Sequence, residues 1–251
     1  MCLILLAWRA HPEYPLVVAA NRDEVHTRPS AAAAFWEDRP EILGGRDLEC
    51  RGTWMGITRA GKFAAVTNYR DANGAGGRLS RGLLASRYLE NGDAPGEYVR
   101  GLAGAAYRGF NFLAGDLEEL WWVSNRAAGA RRLEPGIHGL SNHLLDTPWP
   151  KVARGKERLA GALETAPAVD QLMALLADTS IAPDAELPDT GVGLERERAL
   201  SAARIVSPVY GTRCSTVLMV GRSGRTRFAE RAYDAEGDEG ATVQYELRLA
   251  A

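Results

Sequence analysis

The sequence predicts an α+β fold, on three observations. Short apolar runs of strand length open the chain, runs of helical periodicity fill its middle, and strand-length runs return at its end. Strands at both ends of a helical centre argue for segregated layers, because a βαβ pattern would spread the helices evenly among the strands. No repeat of solenoid length and no linker interrupts the chain, so residues 1–251 read as one domain.

The elements follow in order. Residues 3–8 and 16–20 are short, apolar and separated by a turn at His11-Pro12, which predicts a hairpin of buried strands. The second run stops at four polar residues, Asn21-Arg22-Asp23-Glu24. Residues 26–45 are rich in Pro and Ala and read as irregular, anchored by Phe35-Trp36 and Ile42-Leu43. Residues 52–58 and 63–68 flank Arg59-Ala60-Gly61-Lys62, a second hairpin with Gly61 in the turn. Residues 72–77 form a glycine-rich loop without a dinucleotide or P-loop pattern, which reads as a connection. Helices are expected over 80–90, stopped by Asn91-Gly92, and over 95–107. Strands are expected at 110–114, 120–124 and 137–141, and helices at 150–163 and 168–177. Residues 179–193 read as a long polar loop, a lid or a surface connection. Strands close the chain at 215–220, 225–233 and 242–249.

Composition narrows the function classes. The 251 residues are 46% hydrophobic and 25% charged, with a net charge of −2, which suits a soluble domain and gives no basic surplus for nucleic acid. No run reaches the length of a membrane span, and the opening apolar run lacks a basic leader and cleavage site, so the expected location is the cytoplasm. Lys62, Lys151 and Lys156 are the only lysines, a bias that reads as coding preference. Cys2, Cys50 and Cys214 form no C-x-x-C pair, and the four histidines have no metal-ligand spacing, so no metal is expected.

Chemistry concentrates at the first hairpin. If the two runs pair, Cys2 lies near the polar end of its neighbour. A thiol with a pKa of ~8.5 is mostly protonated at neutral pH and needs a base. No histidine has a persuasive partner. Loss of the initiator Met1 would give Cys2 a free α-amine with a pKa of about 8, so nucleophile and base would belong to one residue. The plain alternative is a small apolar residue starting a buried strand.

Several segments together carry a resemblance: Met1-Cys2, Ala19-Ala20-Asn21-Arg22-Asp23-Glu24, Gly52-Thr53-Trp54-Met55-Gly56, Thr67-Asn68-Tyr69-Arg70, Leu140-Ser141-Asn142 and Tyr210-Gly211-Thr212-Arg213-Cys214-Ser215-Thr216-Val217. In this order, over nearly the whole chain, they resemble the NRDE-motif family of transport and Golgi organization proteins. That family is similar in turn to N-terminal-nucleophile hydrolases of the penicillin V acylase and bile-salt hydrolase type. The resemblance implies a four-layer αββα sandwich of two antiparallel sheets between helices. It implies Cys2 as nucleophile, with Arg22 and Asp23 orienting amine and thiolate. The two are adjacent here where the acylases separate them, which leaves one role open to Asn21 or Glu24. It places Asn68 and Asn142 near the oxyanion and the amine, and Arg213 near the thiol. The implied activity is cleavage of a C–N amide or thioester bond in a small molecule, with no cofactor required. Family members are also implicated in haem trafficking and lipid or acyl-CoA homeostasis. The alternative is therefore a non-catalytic carrier holding haem or another apolar ligand in the same cleft.

Overall fold

The computed structural model describes residues 2–71 and 77–250. The 72–77 loop therefore falls largely outside the described residues, apart from Gly77. Thirteen strands assemble among the described residues into two antiparallel sheets. The first has the order β10-β1-β2-β11-β12-β13, built from β1 (Cys2–Trp8), β2 (Leu16–Val25), β10 (Gly136–Leu140), β11 (Tyr210–Val220), β12 (Arg225–Tyr233) and β13 (Glu239–Arg248). The second runs β3 through β9 in sequence order: β3 (Ser30–Trp36), β4 (Arg39–Asp47), β5 (Met55–Thr58), β6 (Phe63–Asn68), β7 (Phe110–Gly115), β8 (Leu120–Ser124) and β9 (Ala130–Arg132).

Strand alternation sorts the apolar residues into layers. Ile4, Leu6, Val18 and Leu218 of the first sheet meet Leu43, Ile57, Phe63 and Leu113 of the second, forming a core between the sheets. Leu3, Leu5 and Val17 point the other way, against Val152 and Leu159 of α3 (Pro150–Leu163) and Leu172 of α4 (Val169–Leu176). The outer face of the second sheet packs Val66, Phe110 and Phe112 against Leu84 and Tyr88 of α1 (Gly82–Glu90) and Val99 of α2 (Pro95–Arg100). Helices, sheet, sheet, helices is the four-layer αββα sandwich. Each fully buried Leu, Ile or Phe adds roughly 1.5–3 kcal/mol, so both sheets are held on two faces.

Several expectations need correction. Asn21 to Glu24 do not end a strand: β2 continues through them because Gly211 and Thr212 of β11 pair with Glu24 and Asp23. The stretch 26–45 holds β3 and most of β4. Its alanines conceal a strand whose pairing carries register shifts and therefore no clean alternation. The helix expected over 95–107 stops at Arg100, where Gly101 and Gly104 favour leaving it, and only a short 3-10 turn follows at Gly104–Ala106. α5 (Leu194–Leu200) and β9 were not anticipated. Of α5 only Glu197 and Leu200 are buried, so it has no apolar stripe to read. Gly61 takes the turn with φ 86°, as expected. Among the described residues no helix is long and apolar enough to cross a membrane.

Candidate active site

The site forms where the inter-sheet core ends. Cys2 pairs with Arg22 across β1–β2, and Arg22 pairs with Cys214 across β2–β11. Alternation continues the Ile4 and Ala20 column to Cys2 and Arg22, so both side chains reach the open end of the space between the sheets. A cleft of about 360 Å³ opens there, lined by Cys2, Arg22, Asp23 and Glu24 on one side and by Trp54, Val66 and Asn68 on the other. Ser80, Arg81 and Gly82 at the start of α1 close one wall. The Arg22 guanidinium lies over the Trp54 ring, 4.2 Å from its centroid, and donates to Ser30 Oγ at 3.4 Å. On the rim, Arg28 donates to Asp47 at 2.7 Å and lies 3.2 Å from Glu49.

The floor is tied by polar bonds between sheets. Ser141 Oγ, just past β10, lies 3.0 Å from the Cys2 carbonyl and 3.2 Å from Asn142 Oδ1. Asn142 Nδ2 donates to the Asn68 carbonyl at 2.9 Å, and Thr67 Oγ1 donates to the Ser141 carbonyl at 2.7 Å. These bonds fasten the end of β6 beside the start of β1. The Asn68 amide, half-buried on the cleft wall, has no hydrogen-bond partner among the described residues. Asn142 is fully buried and committed to Asn68 and Ser141, so it orients Asn68 from behind.

Asp23 shares the alternation of Asn21 and Ala19, which face the helix layer, while bordering the inner end of the cleft. Thr212 Oγ1 donates to Asp23 Oδ1 at 2.7 Å, and the Tyr210 hydroxyl donates to its carbonyl at 3.2 Å. Burial pushes the Asp23 carboxyl up, against the pull of Lys151 and Arg22. Burial likewise raises the Cys2 thiol; the Asp23 charge adds to this and Arg22 opposes it. The thiol is therefore protonated at neutral pH unless a base takes its proton.

Cys2, Arg22, Asp23 and Asn68 thus converge on one cleft, with Asn142 one bond behind. Asn21 and Arg213 lie elsewhere. The Asn21 amide donates to the Leu176 and Ala203 carbonyls at 2.9 and 2.7 Å and accepts from Ser215, fastening α4 to the sheet. Arg213 sits at the β11 irregularity between Thr212 and Cys214 and donates to the carbonyls of Val25, His26 and Arg28, so it braces the β2–β3 turn and not the thiol. Among the described residues no histidine lines the cleft.

Sequence reasoning missed three participants. Trp54 lay within a quoted motif without a role. Glu230 is buried; it accepts from Ala33 N at 2.7 Å and Thr216 Oγ1 at 3.1 Å, joining the sheets below Arg22. Lys151 is only 2% exposed and interacts electrostatically with Asp23 and Cys2. One signal could have found it: Lys151, Gly155, Leu159 and Ala162 fall on a single buried helix face, and a lysine in such a stripe is unusual.

Comparison with known proteins gives concordant results. A family model described as Transport and Golgi organisation 2 matches residues 1–235. The Transport and Golgi organization 2 homolog of Mus musculus is 35% identical over 274 residues, covering 99% of this chain and 99% of that protein. Its Bos taurus counterpart is 36% identical over 276 residues with the same coverage. The Transport and Golgi organization protein 2 of Drosophila melanogaster is 27% identical, covering 92% of this chain and 91% of that protein. Among solved structures, a mutant of the conjugated bile acid hydrolase from Clostridium perfringens superposes with a TM-score of 0.54 at 9% identity, covering 99% of this chain and 97% of that one. The Caenorhabditis elegans ortholog of N-acylethanolamine-hydrolyzing acid amidase superposes with a TM-score of 0.50 at 13% identity, covering 86% and 92%. At these identities the structural likeness shows the fold alone, the αββα sandwich that this chain shares with the two enzymes.

Proposed function

The chain belongs to the Transport and Golgi organisation 2 family, and from that premise we propose that it is an N-terminal-cysteine amidohydrolase acting on an amide or thioester bond of a small molecule. The observation that carries this reading is the convergence of Cys2, Asp23 and Asn68 at one cleft end from strands of both sheets. The hydrolase and amidase named among the similar folds support it.

The mechanism needs Met1 removed. The strand register then leaves the α-amine of Cys2 beside Asp23, whose carboxylate orients it. The amine takes the thiol proton as Sγ attacks the carbonyl carbon, and the C=O electron pair moves onto oxygen. The Asn68 amide on the cleft wall donates to that oxyanion, a charge present only in the transition state. Collapse of the tetrahedral species breaks the C–N or C–S bond, and the ammonium returns the proton to the leaving group. Water, deprotonated by the same amine, then cleaves the Cys2 thioester and releases the acid.

The test is acylation of the full-length chain, its Met1 removal verified by intact mass, with a panel of N-acyl amino-acid amides and acyl thioesters. An acyl mass increment on the Cys2 peptide is expected, with turnover abolished in Cys2→Ala and lowered about 10–1000-fold in Asn68→Ala. A Met1-free chain that acquires no acyl group from any member of the panel overturns the proposal.

A second reading, non-catalytic binding of an acyl-CoA or haem, is favoured by one feature. Arg78, Arg81 and Arg108 line the same cleft, which suits the anionic groups of either ligand. Saturable binding to Cys2→Ala without turnover of any substrate by the wild type would select this reading.

A further inference from the structure

We propose that Lys151 is a positioning residue of the Cys2 centre, its buried ammonium acting on Asp23 and on the Cys2 thiol from the helix layer behind the sheet. The inference rests on the catalytic reading of Cys2. The geometry is unusual in three respects. Lys151 is almost fully buried, and its Nζ has no hydrogen-bond partner among the described residues. It lies in the first turn of α3, behind Pro150 at the helix start, where the helix dipole is positive and a cation is unfavourable. It borders two voids of about 10 Å³ each, one against Leu3 of β1 and one against the Arg70–Glu197 pair, so it stands directly under the β1 strand that carries Cys2. None of this favours the fold, and a costly buried charge next to reacting groups marks a functional position.

The surrounding charges leave Asp23 as its counter-ion. Glu197 of α5 is held by Arg70 and by Thr190. Asp178, past α4, is held by Arg158 and by the Ser180 amide. Arg154 of α3 donates to the Ser180 carbonyl. Tyr210 of β11 donates its hydroxyl to the Asp23 backbone. Charge on Lys151 therefore favours an ionised Asp23 and a deprotonated Cys2 sulfur, and it disfavours an ammonium on a freed Cys2 amine. The direct effects on the thiol and the amine move the centre toward its reactive form, against the rise that an ionised Asp23 imposes on the thiol. Burial brings the Lys151 pKa down to about 8, so the influence fades above that pH.

The experiment measures iodoacetamide alkylation of Cys2 in the full-length chain from pH 5.5 to 9.5, read on the Cys2 peptide by mass spectrometry. Wild type is compared with Lys151→Met and Lys151→Gln. Both variants are expected to be alkylated about 3–10-fold more slowly than wild type at pH 7, where Lys151 is charged, and at the wild-type rate well above pH 8, where it is not. A structural role would lower thermal stability or slow alkylation by the same factor at every pH. A wild-type-to-variant rate ratio that does not change with pH in both folded variants overturns the proposal. An acylating wild type with a pH-independent ratio removes the role of Lys151 alone, whereas a pH-dependent ratio without any acyl adduct removes the hydrolase reading alone.

Discussion

Replacing Lys151 by Met should stabilise the protein at pH 7, and the gain should disappear as pH rises. An unfolded lysine keeps its proton to about pH 10.5, whereas burial limits Lys151 in the folded protein to about pH 8. Between those values the unfolded state binds more protons, so raising the pH favours folding. Below pH 8 both states are protonated, and the folded protein bears the full cost of the desolvated charge. The fall from 10.5 to about 8 corresponds to about 3 kcal/mol, with the attraction of Asp23 already included. A water in either adjacent void would reduce this, so Lys151→Met is expected to gain about 1–3 kcal/mol at pH 7 and close to nothing at pH 10.5. Cys2, Cys214 and Tyr210, all raised by burial, titrate with the opposite slope. The variant-minus-wild-type difference is therefore the quantity to measure. Equilibrium unfolding in urea, followed by the fluorescence of the six tryptophans, gives it at pH 7, 8.5 and 10. A Lys151→Met protein less stable than wild type at pH 7 would refute the reasoning, because the ammonium would then be well satisfied where it lies.

Two further outcomes test how the cleft is built. Gly52→Ala should cost about 2 kcal/mol or more, because a Cβ there would meet Gly82 C at 2.5 Å and Leu83 N at 2.9 Å, both backbone atoms at the start of α1. Urea midpoints check this, and a change within about 0.5 kcal/mol contradicts it. Glu230→Gln addresses the inter-sheet tie: burial raises the Glu230 carboxyl above its unfolded value of 4.5, so its contribution is fully present below pH 4.5 and is lost as pH rises through the folded value. The amide variant keeps the bond from Ala33, so its stability relative to wild type should rise from pH 5 to pH 8, and a flat difference across that range would count against an elevated carboxyl.

Much of the fold was legible because apolar periodicity is local. Strands 3–8, 63–68 and 110–114 and helix 150–163 are apolar runs or stripes whose burial depends on little beyond their own pattern. The paired strands β3 and β4 were not legible, since Ala31 to Ala34 carry weak propensity and the pairing slips in register. The site was legible as a set of residues and not as an arrangement. Cys2 and the Asn-Arg-Asp-Glu run stand out by type, as does Asn68 at a strand end.

What the residues alone determined is the α+β layering, the place of a thiol at the start of the first strand and the polar run opposite it. The tertiary structure decided which members of that run serve the cleft. Pairing puts Arg22 beside Cys2, strand alternation turns Asn21 to the helices, and the β11 irregularity carries Arg213 to the β2–β3 turn. It also brought Lys151 under the opening strand, although 149 positions of chain (151 − 2) separate it from Cys2. The physical reason is that hydrophobic period sets which face of an element is buried, whereas register and packing between distant elements set which polar atoms meet.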